Sequence, residues 1–224
     1  MDPYNLDANY GVNGYDYKIV YNMAMFYQPP FLKSLTGWKR TVLGGWTVSP
    51  LFTAQSGAPT SVGYAPGSFL QGFGESNSSG SGAITENAVA ATPYSGGTSA
   101  HYKVPGSGGI GTNNPIGVNM FANPQAVYSE FRPCILGIDT SCGGYTNFRG
   151  LPRWNLDAAI AKDFAIVPER GIGAELHWQI TNVMNHVVFS TPSSLSLTSP
   201  TTFGRITSQA NTPRQMEFGL RVHF

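Results

Sequence analysis

A strict two-residue period closes this chain, from Gln215 to Phe224, and no other feature constrains the fold so tightly. Met216, Phe218, Leu220, Val222 and Phe224 form one file, and Gln215, Glu217, Gly219, Arg221 and His223 form the other. Side chains of an extended strand point alternately to opposite faces, so the stretch is a ribbon with one apolar and one polar side. Two settings stabilise such a ribbon. The apolar side is either buried in a soluble sandwich or barrel, or turned outward against lipid. A terminal aromatic, where a soluble domain normally ends in a frayed polar tail, leans towards lipid.

Composition supports strands throughout. With 224 residues, 27 glycines, 16 prolines and 11% charged residues, against about 25% charged in an average domain, the chain reads as turn-rich, weakly charged and β. Thirteen basic and 12 acidic side chains leave a net charge of +1, and no basic run marks a surface for nucleic acid or acidic lipid. Nothing approaches the roughly 18 consecutive apolar residues of a membrane helix. A mean hydropathy of -0.12 leaves membrane strands open, because alternation averages out. Met1-Asp2-Pro3-Tyr4-Asn5 lacks the basic and apolar regions of a secretory signal. The expectation is a cytosolic protein or a piece of a longer one.

Five strands can be read in order. Tyr17, Ile19, Tyr21, Met23, Met25 and Tyr27 alternate with Lys18, Val20, Asn22, Ala24 and Phe26, up to Gln28-Pro29-Pro30. After a connection from Phe31 to Arg40, a second strand sets Val42, Trp46, Val48 and Phe52 against Thr41, Thr47, Ser49 and Thr53. Pro50 lies in its apolar file and cannot donate to a ladder, which predicts a bulge or an early strand end. The third strand groups Trp154, Leu156, Ala158, Ile160 and Phe164 with Lys162, a cation tolerable on such a face near an interface where its stem can snorkel. Beyond the short connection Val167 to Gly171, Ala174, Leu176, Trp178 and Ile180 alternate with Glu175, His177, Gln179 and Thr181. Asn182 to Phe189 and a Ser/Thr/Pro-rich connection, Ser190 to Pro213, lead into the closing strand.

Between Ala58 and Pro152 the period vanishes, apart from one helical turn expected at Asn123 to Tyr128, with Asn as N-cap and Pro at N1. So long a connection without its own elements is expected only where it is functional. The connections alternate in character: Phe31 to Arg40 and Pro168 to Gly171 are compact, the other two long and polar. Outer-membrane barrels sort their loops by side in this way. The resulting reading is all-β: an antiparallel meander of about five strands from the end of an outer-membrane β-barrel, residues 15–224, with an irregular extracellular loop at 58–152 and the end of another at 1–14. Leu176, Trp178, Ile180, Phe218 and Leu220 should share one surface, and the last three strands should pair in sequence. Trp46, Trp154, Trp178, Tyr17 and Tyr27 should lie in or near interfacial aromatic girdles.

Several motifs resemble the last strands of TonB-dependent outer-membrane receptors, in the subgroup with a carboxypeptidase-regulatory-like N-terminal domain that is abundant in acidobacteria. They are Gly44-Gly45-Trp46 leading to Gln55-Ser56-Gly57-Ala58-Pro59, Phe148-Arg149-Gly150-Leu151-Pro152-Arg153-Trp154-Asn155-Leu156-Asp157, Asn182 to Phe189, Phe203-Gly204-Arg205-Ile206 and Thr212-Pro213-Arg214-Gln215. The resemblance runs from Tyr15 to Phe224 and is weakest between Gly63 and Met120. It implies an outer-membrane location and ligand uptake energised by TonB. It also implies that Met216, Phe218, Leu220, Val222 and Phe224 are the tag read by the barrel-assembly machinery. The departure is size. The family carries a plug, a TonB box and about 22 strands, of which only the final strands are matched here. Five strands cannot close a barrel, so the expectation is a fragment that does not transport alone and meets TonB only through a plug absent from this chain.

No catalytic set, metal cluster or cofactor motif emerges, and an enzyme is not expected. Gly106-Ser107-Gly108-Gly109-Ile110-Gly111 spells a dinucleotide fingerprint, but no strand precedes it and Asn114-Pro115 follows where a helix should open, so a loop is expected. Glu175 with His177, and Arg221 with His223, read as polar-face residues, and His186 as part of a strand end. Asn77-Ser78-Ser79 is a glycosylation sequon by letter alone. Cys134 and Cys142 are either two buried thiols or, in an exported loop, a local disulfide with Cα atoms within about 7 Å. Two function classes stand: an outer-membrane receptor, and a soluble or secreted β-rich ligand-binding module.

Overall fold

The computed structural model describes residues 12–30, 36–64, 86–90, 96–108, 116–133, 135, 138–139, 148–192 and 194–224. The chain divides into two compact units. One comprises Met1–Lys18, Ser56–Pro152 and Phe189–Gln209; the other comprises Ile19–Gln55, Arg153–Val188 and Ala210–Phe224.

The second unit is the expected meander. Strands β1 (Val20–Ala24), β2 (Trp46–Gln55), β3 (Arg153–Val167), β4 (Ile172–Thr181) and β5 (Gln215–His223) form one antiparallel sheet in sequence order. Crossing a bilayer takes about 9–11 tilted residues, and β2, β4 and β5 have 10, 10 and 9. The 15-residue β3 is shared between neighbours. It pairs with β2 from Arg153 to Lys162 and with β4 from Ala158 to Val167, with a register shift between Ala165 and Val167. A single 3-10 turn, Pro168–Arg170, and Gly171 at φ +69° join β3 to β4.

Three local expectations are corrected. Val42 is not in a strand: Trp38–Leu43 is a short helix, α1, and β2 begins only at Trp46. The cause is the glycine pair between them. Gly45 has φ +72°, a conformation unfavourable for any residue with a Cβ, and its carbonyl accepts from Asp163 N at 3.0 Å. Pro50 neither bulges nor ends β2, which runs in unbroken register to Gln55. Met25 N still donates to the Pro50 carbonyl, and Tyr27 and Val48 exchange both bonds beyond it, so the proline removes one donor and leaves the register intact. The first strand is shorter than its pattern: β1 starts at Val20, and Tyr17 and Ile19 lie outside it.

The first unit gathers residues from the aperiodic region around a core of its own. Val62, Ala88, Met120, Phe121, Val127, Phe131, Phe203 and Ile206 are buried together, with the Phe121 and Phe203 rings stacked at 5.6 Å. The expected helical turn is present as α2, Pro124–Ser129, and the Asn123 side chain accepts from Ala126 N at 3.1 Å. Asn119, 1% exposed, donates to the Phe203 carbonyl and Ser107 Oγ and accepts from Phe121 N, which fixes three stretches of irregular backbone at once. Gly57 is required where it stands, because a Cβ there would fall 1.8 Å from the Gly150 carbonyl oxygen. Arg149 holds Asp16 through Nη2 to Oδ2 at 2.5 Å.

Candidate membrane-facing surface

Register decides which side chains share a face. Leu176 stands opposite Leu220, Trp178 opposite Phe218, Ile180 opposite Met216 and Ala174 opposite Val222. On the other side of β4, Ile160 stands opposite Trp178 and Ala158 opposite Ile180. The same rows continue into β2 through Val48 and Pro50, and Leu156 faces Phe52. The five residues expected on one surface are therefore on one surface. Ile180 and Ala174, flanked on both sides, are buried, but Met216, Phe218, Leu220 and Val222 are between 48% and 70% exposed. Burial in a sandwich would have covered this file. An exposed apolar surface of this continuity needs a nonpolar medium.

Aromatic rings reinforce the rows. Trp178 stacks on Phe218 at 5.4 Å. Tyr21, Phe52 and Trp154 form a ladder with centroids 6.1 and 6.2 Å apart at the end from which the long connections leave, and Trp46 lies at the opposite end of β2. Trp178 is not at a strand end. Its indole N–H is buried and has no hydrogen-bond partner among the described residues.

Lys162 is the one charged residue in these rows of β2 to β5. It stands opposite both Trp46 and Leu176, yet it is only 2% exposed. Its ammonium donates to the Gly44 carbonyl and sits 5.2 and 5.1 Å from the Trp46 and Phe164 ring centroids. The ammonium is thus held among the apolar rows, bonded to the Gly44 carbonyl and paired with two ring faces, and it does not reach water, so cation–π pairing stands where snorkelling was expected.

The reverse face is polar. Glu175 lies across from Asp163 on one side and Arg221 on the other, and bonds His177 at 3.1 Å. His223 covers Gly173, where a Cβ would meet Nε2 at 2.4 Å. Nearer the long connections, Asn22, Thr53, Gln55, Arg153 and Asn155 line a cleft of about 370 Å³, with Arg153 Nη2 donating to Gln55 Oε1 at 2.8 Å. Among the described residues no cluster of three metal-ligating side chains exists.

Reasoning from sequence missed the knot that joins β4 to β5. Asn182, 3% exposed and at φ +55°, donates to the carbonyls of His186 and Thr212 and accepts from His186 N. Asp157 Oδ1 accepts from Asn182 N, Asn211 bonds the His186 carbonyl and Val188 N, and the Trp154 ring stacks on His186 at 4.1 Å. The visible signal was Asn182 and Asn185 three residues apart just after a strand, since asparagine tolerates left-handed backbone. His186 lies five residues beyond β4; its main chain makes the hydrogen bonds at that end, and its ring Nδ1 is buried without a hydrogen-bond partner among the described residues.

Phe224 lies just past β5 and is fully exposed. Contrary to expectation a strand, His101–Pro105, does precede the glycine run; Gly106 turns at φ +76°, Asn119 donates to Ser107 Oγ, Arg205 Nη1 donates to the Gly108 carbonyl, and Gly109 to Pro115 lie outside the described residues. Cys134, Cys142 and Asn77-Ser78-Ser79 lie outside the described residues.

Comparison with known proteins agrees with the sheet. Residues 1–217 match the outer membrane beta barrel domain family. Neither a curated protein nor a solved structure matches the chain. A meander of bilayer-crossing strands, apolar on one face and polar on the other, together with a match over nearly the whole length, leads to one conclusion: the chain belongs to the outer membrane beta barrel domain family and resides in the bacterial outer membrane.

Proposed function

We propose that the chain forms the closing segment of a TonB-dependent receptor, which captures a scarce ligand outside the cell and passes it through the barrel. The observation that carries this reading is the division of the sheet into an apolar face and a polar face, on strands whose two longest connections, 56–152 and 182–214, leave one end. The motifs from Gly44 to Gln215 favour the receptor class. In this reading Met216, Phe218, Leu220 and Val222 meet lipid, Glu175, His177, Arg221 and the amide-lined cleft face the lumen, and the long connections are extracellular. Residues 216 to 224 are the tag engaged by the barrel-assembly machinery. TonB acts through a plug region that none of these residues matches, and the work is binding and passage, not covalent chemistry.

Formaldehyde cross-linking in energised cells of the native host tests the receptor assignment. A cross-linked species containing TonB and the plug-bearing receptor whose closing strands this chain forms, lost when the proton gradient is collapsed, is expected. Its absence at native expression levels, with the protein present in the outer membrane, would overturn it.

A further inference from the structure

We infer that α1, Trp38–Leu43, is an interfacial anchor whose apolar side chains enter the phospholipid leaflet at the compact-connection end of the sheet. Three of its six residues are large, apolar and exposed: Trp38 at 71%, Val42 at 54% and Leu43 at 47%. A connection bathed in water on all sides would have no reason to keep them out. The patch is continuous with the apolar rows. Trp46 Nε1 donates to the Val42 carbonyl at 3.3 Å, and Trp46 itself begins β2 on the apolar face. Lys162 reaches from that face to the Gly44 carbonyl, one residue beyond the helix. The helix is therefore tied at two points to a surface that meets lipid, and this inference rests on that lipid-facing reading.

The occupant follows from chemistry. Trp38 has the amphipathic ring favoured at the headgroup level, and exposed Lys39 beside it supplies a cation for lipid phosphate. No acidic side chain occupies the first turn to oppose it. Six residues are far too few to span a bilayer, so the helix lies in the interface plane with its apolar side dipped into it. Phospholipid, and not a protein partner, is the occupant that shares both a nonpolar layer with the strands and phosphates with Lys39.

Tryptophan quenching tests this in the protein isolated from outer membranes and placed in phosphatidylethanolamine/phosphatidylglycerol vesicles. Trp38→Phe and Trp178→Phe are each compared with the parent, and the emission each substitution removes is the signal of that indole. Lipids brominated near the headgroup should quench the Trp38 signal at least twofold, more than lipids brominated deep in the chain, and iodide on both sides should leave it unchanged. The Trp178 signal should be quenched by the deeper bromines. If iodide quenches Trp38 and lipid does not, while Trp178 still responds to lipid, the anchor is refuted and the lipid-facing sheet stands. If neither responds to lipid, both fail. Shielding of Trp38 from iodide in native membranes but not in vesicles identifies a protein partner and overturns the phospholipid assignment.

Discussion

Asn182 shows how much can rest on one short side chain. It ends β4, holds left-handed backbone and makes three hydrogen bonds from a buried position. Asn182→Ala keeps the backbone strain and strands buried partners, a cost of roughly 2–4 kcal/mol. The expected result is a lower urea midpoint for the membrane-inserted protein with an unchanged strand signal in circular dichroism. Asp139 carries a pH dependence. The Arg132 guanidinium grips its carboxyl at 2.6 Å through both nitrogens, and Ile135 N adds a bond, which together lower its pKa from 3.8 to about 2. A depressed carboxylate stabilises the fold above its unfolded pKa, and the contribution is lost as pH falls through the folded value. The Ile135 amide should therefore remain protected from hydrogen exchange at pH 4 and lose protection as pH approaches 2. Protection already lost at pH 4 would mean the pair does not form.

At the level of elements, the strands were legible because each alternation has a face to fill, and the register pairs those files as the pattern required. What misled was the edge of a pattern. Thr41-Val42 extends the alternation of β2 backwards by one pair, but Gly44-Gly45 intervenes and local helix wins. Proline misled in the opposite direction: Pro50 lacks a donor, yet the nine other residues of β2 all hold ladder positions against β3, so one lost bond does not shift the register. The core around Phe121 was illegible, since its members come from separated stretches with no common spacing and are united only by tertiary contacts. The faces themselves can be tested. Phe218→Arg places a charge among apolar rows and should cost about 2–4 kcal/mol in a bilayer, whereas Gln179→Arg, one residue from Trp178 on the polar face, should cost less than about 1 kcal/mol. Equal penalties in denaturant titrations would contradict the two-faced assignment.

For the molecule as a whole, the edges of the sheet matter most. Within the five-stranded sheet, β1 and β5 each pair with one neighbour. Hydrocarbon offers no partner to an open strand edge, and each unsatisfied backbone group there costs several kcal/mol. In native outer membranes the amides of Gln215–His223 should thus be as protected from exchange as those of Ile172–Thr181. Rapid exchange confined to β5 would show that its outer edge meets water and not another strand. The way β3 divides its partners adds a last consequence. Its first residues are paired only with β2 and its last only with β4, so hydrogen-bonded rows climb by about five residues in passing from one side of β3 to the other. A strip built on such a ramp cannot stand upright in a bilayer. If strand ends are levelled by the two water boundaries, the strands must lean from the membrane normal, by an angle near the roughly 45° of membrane strands. Depth in the membrane is then set by neighbours as well as by position along a strand.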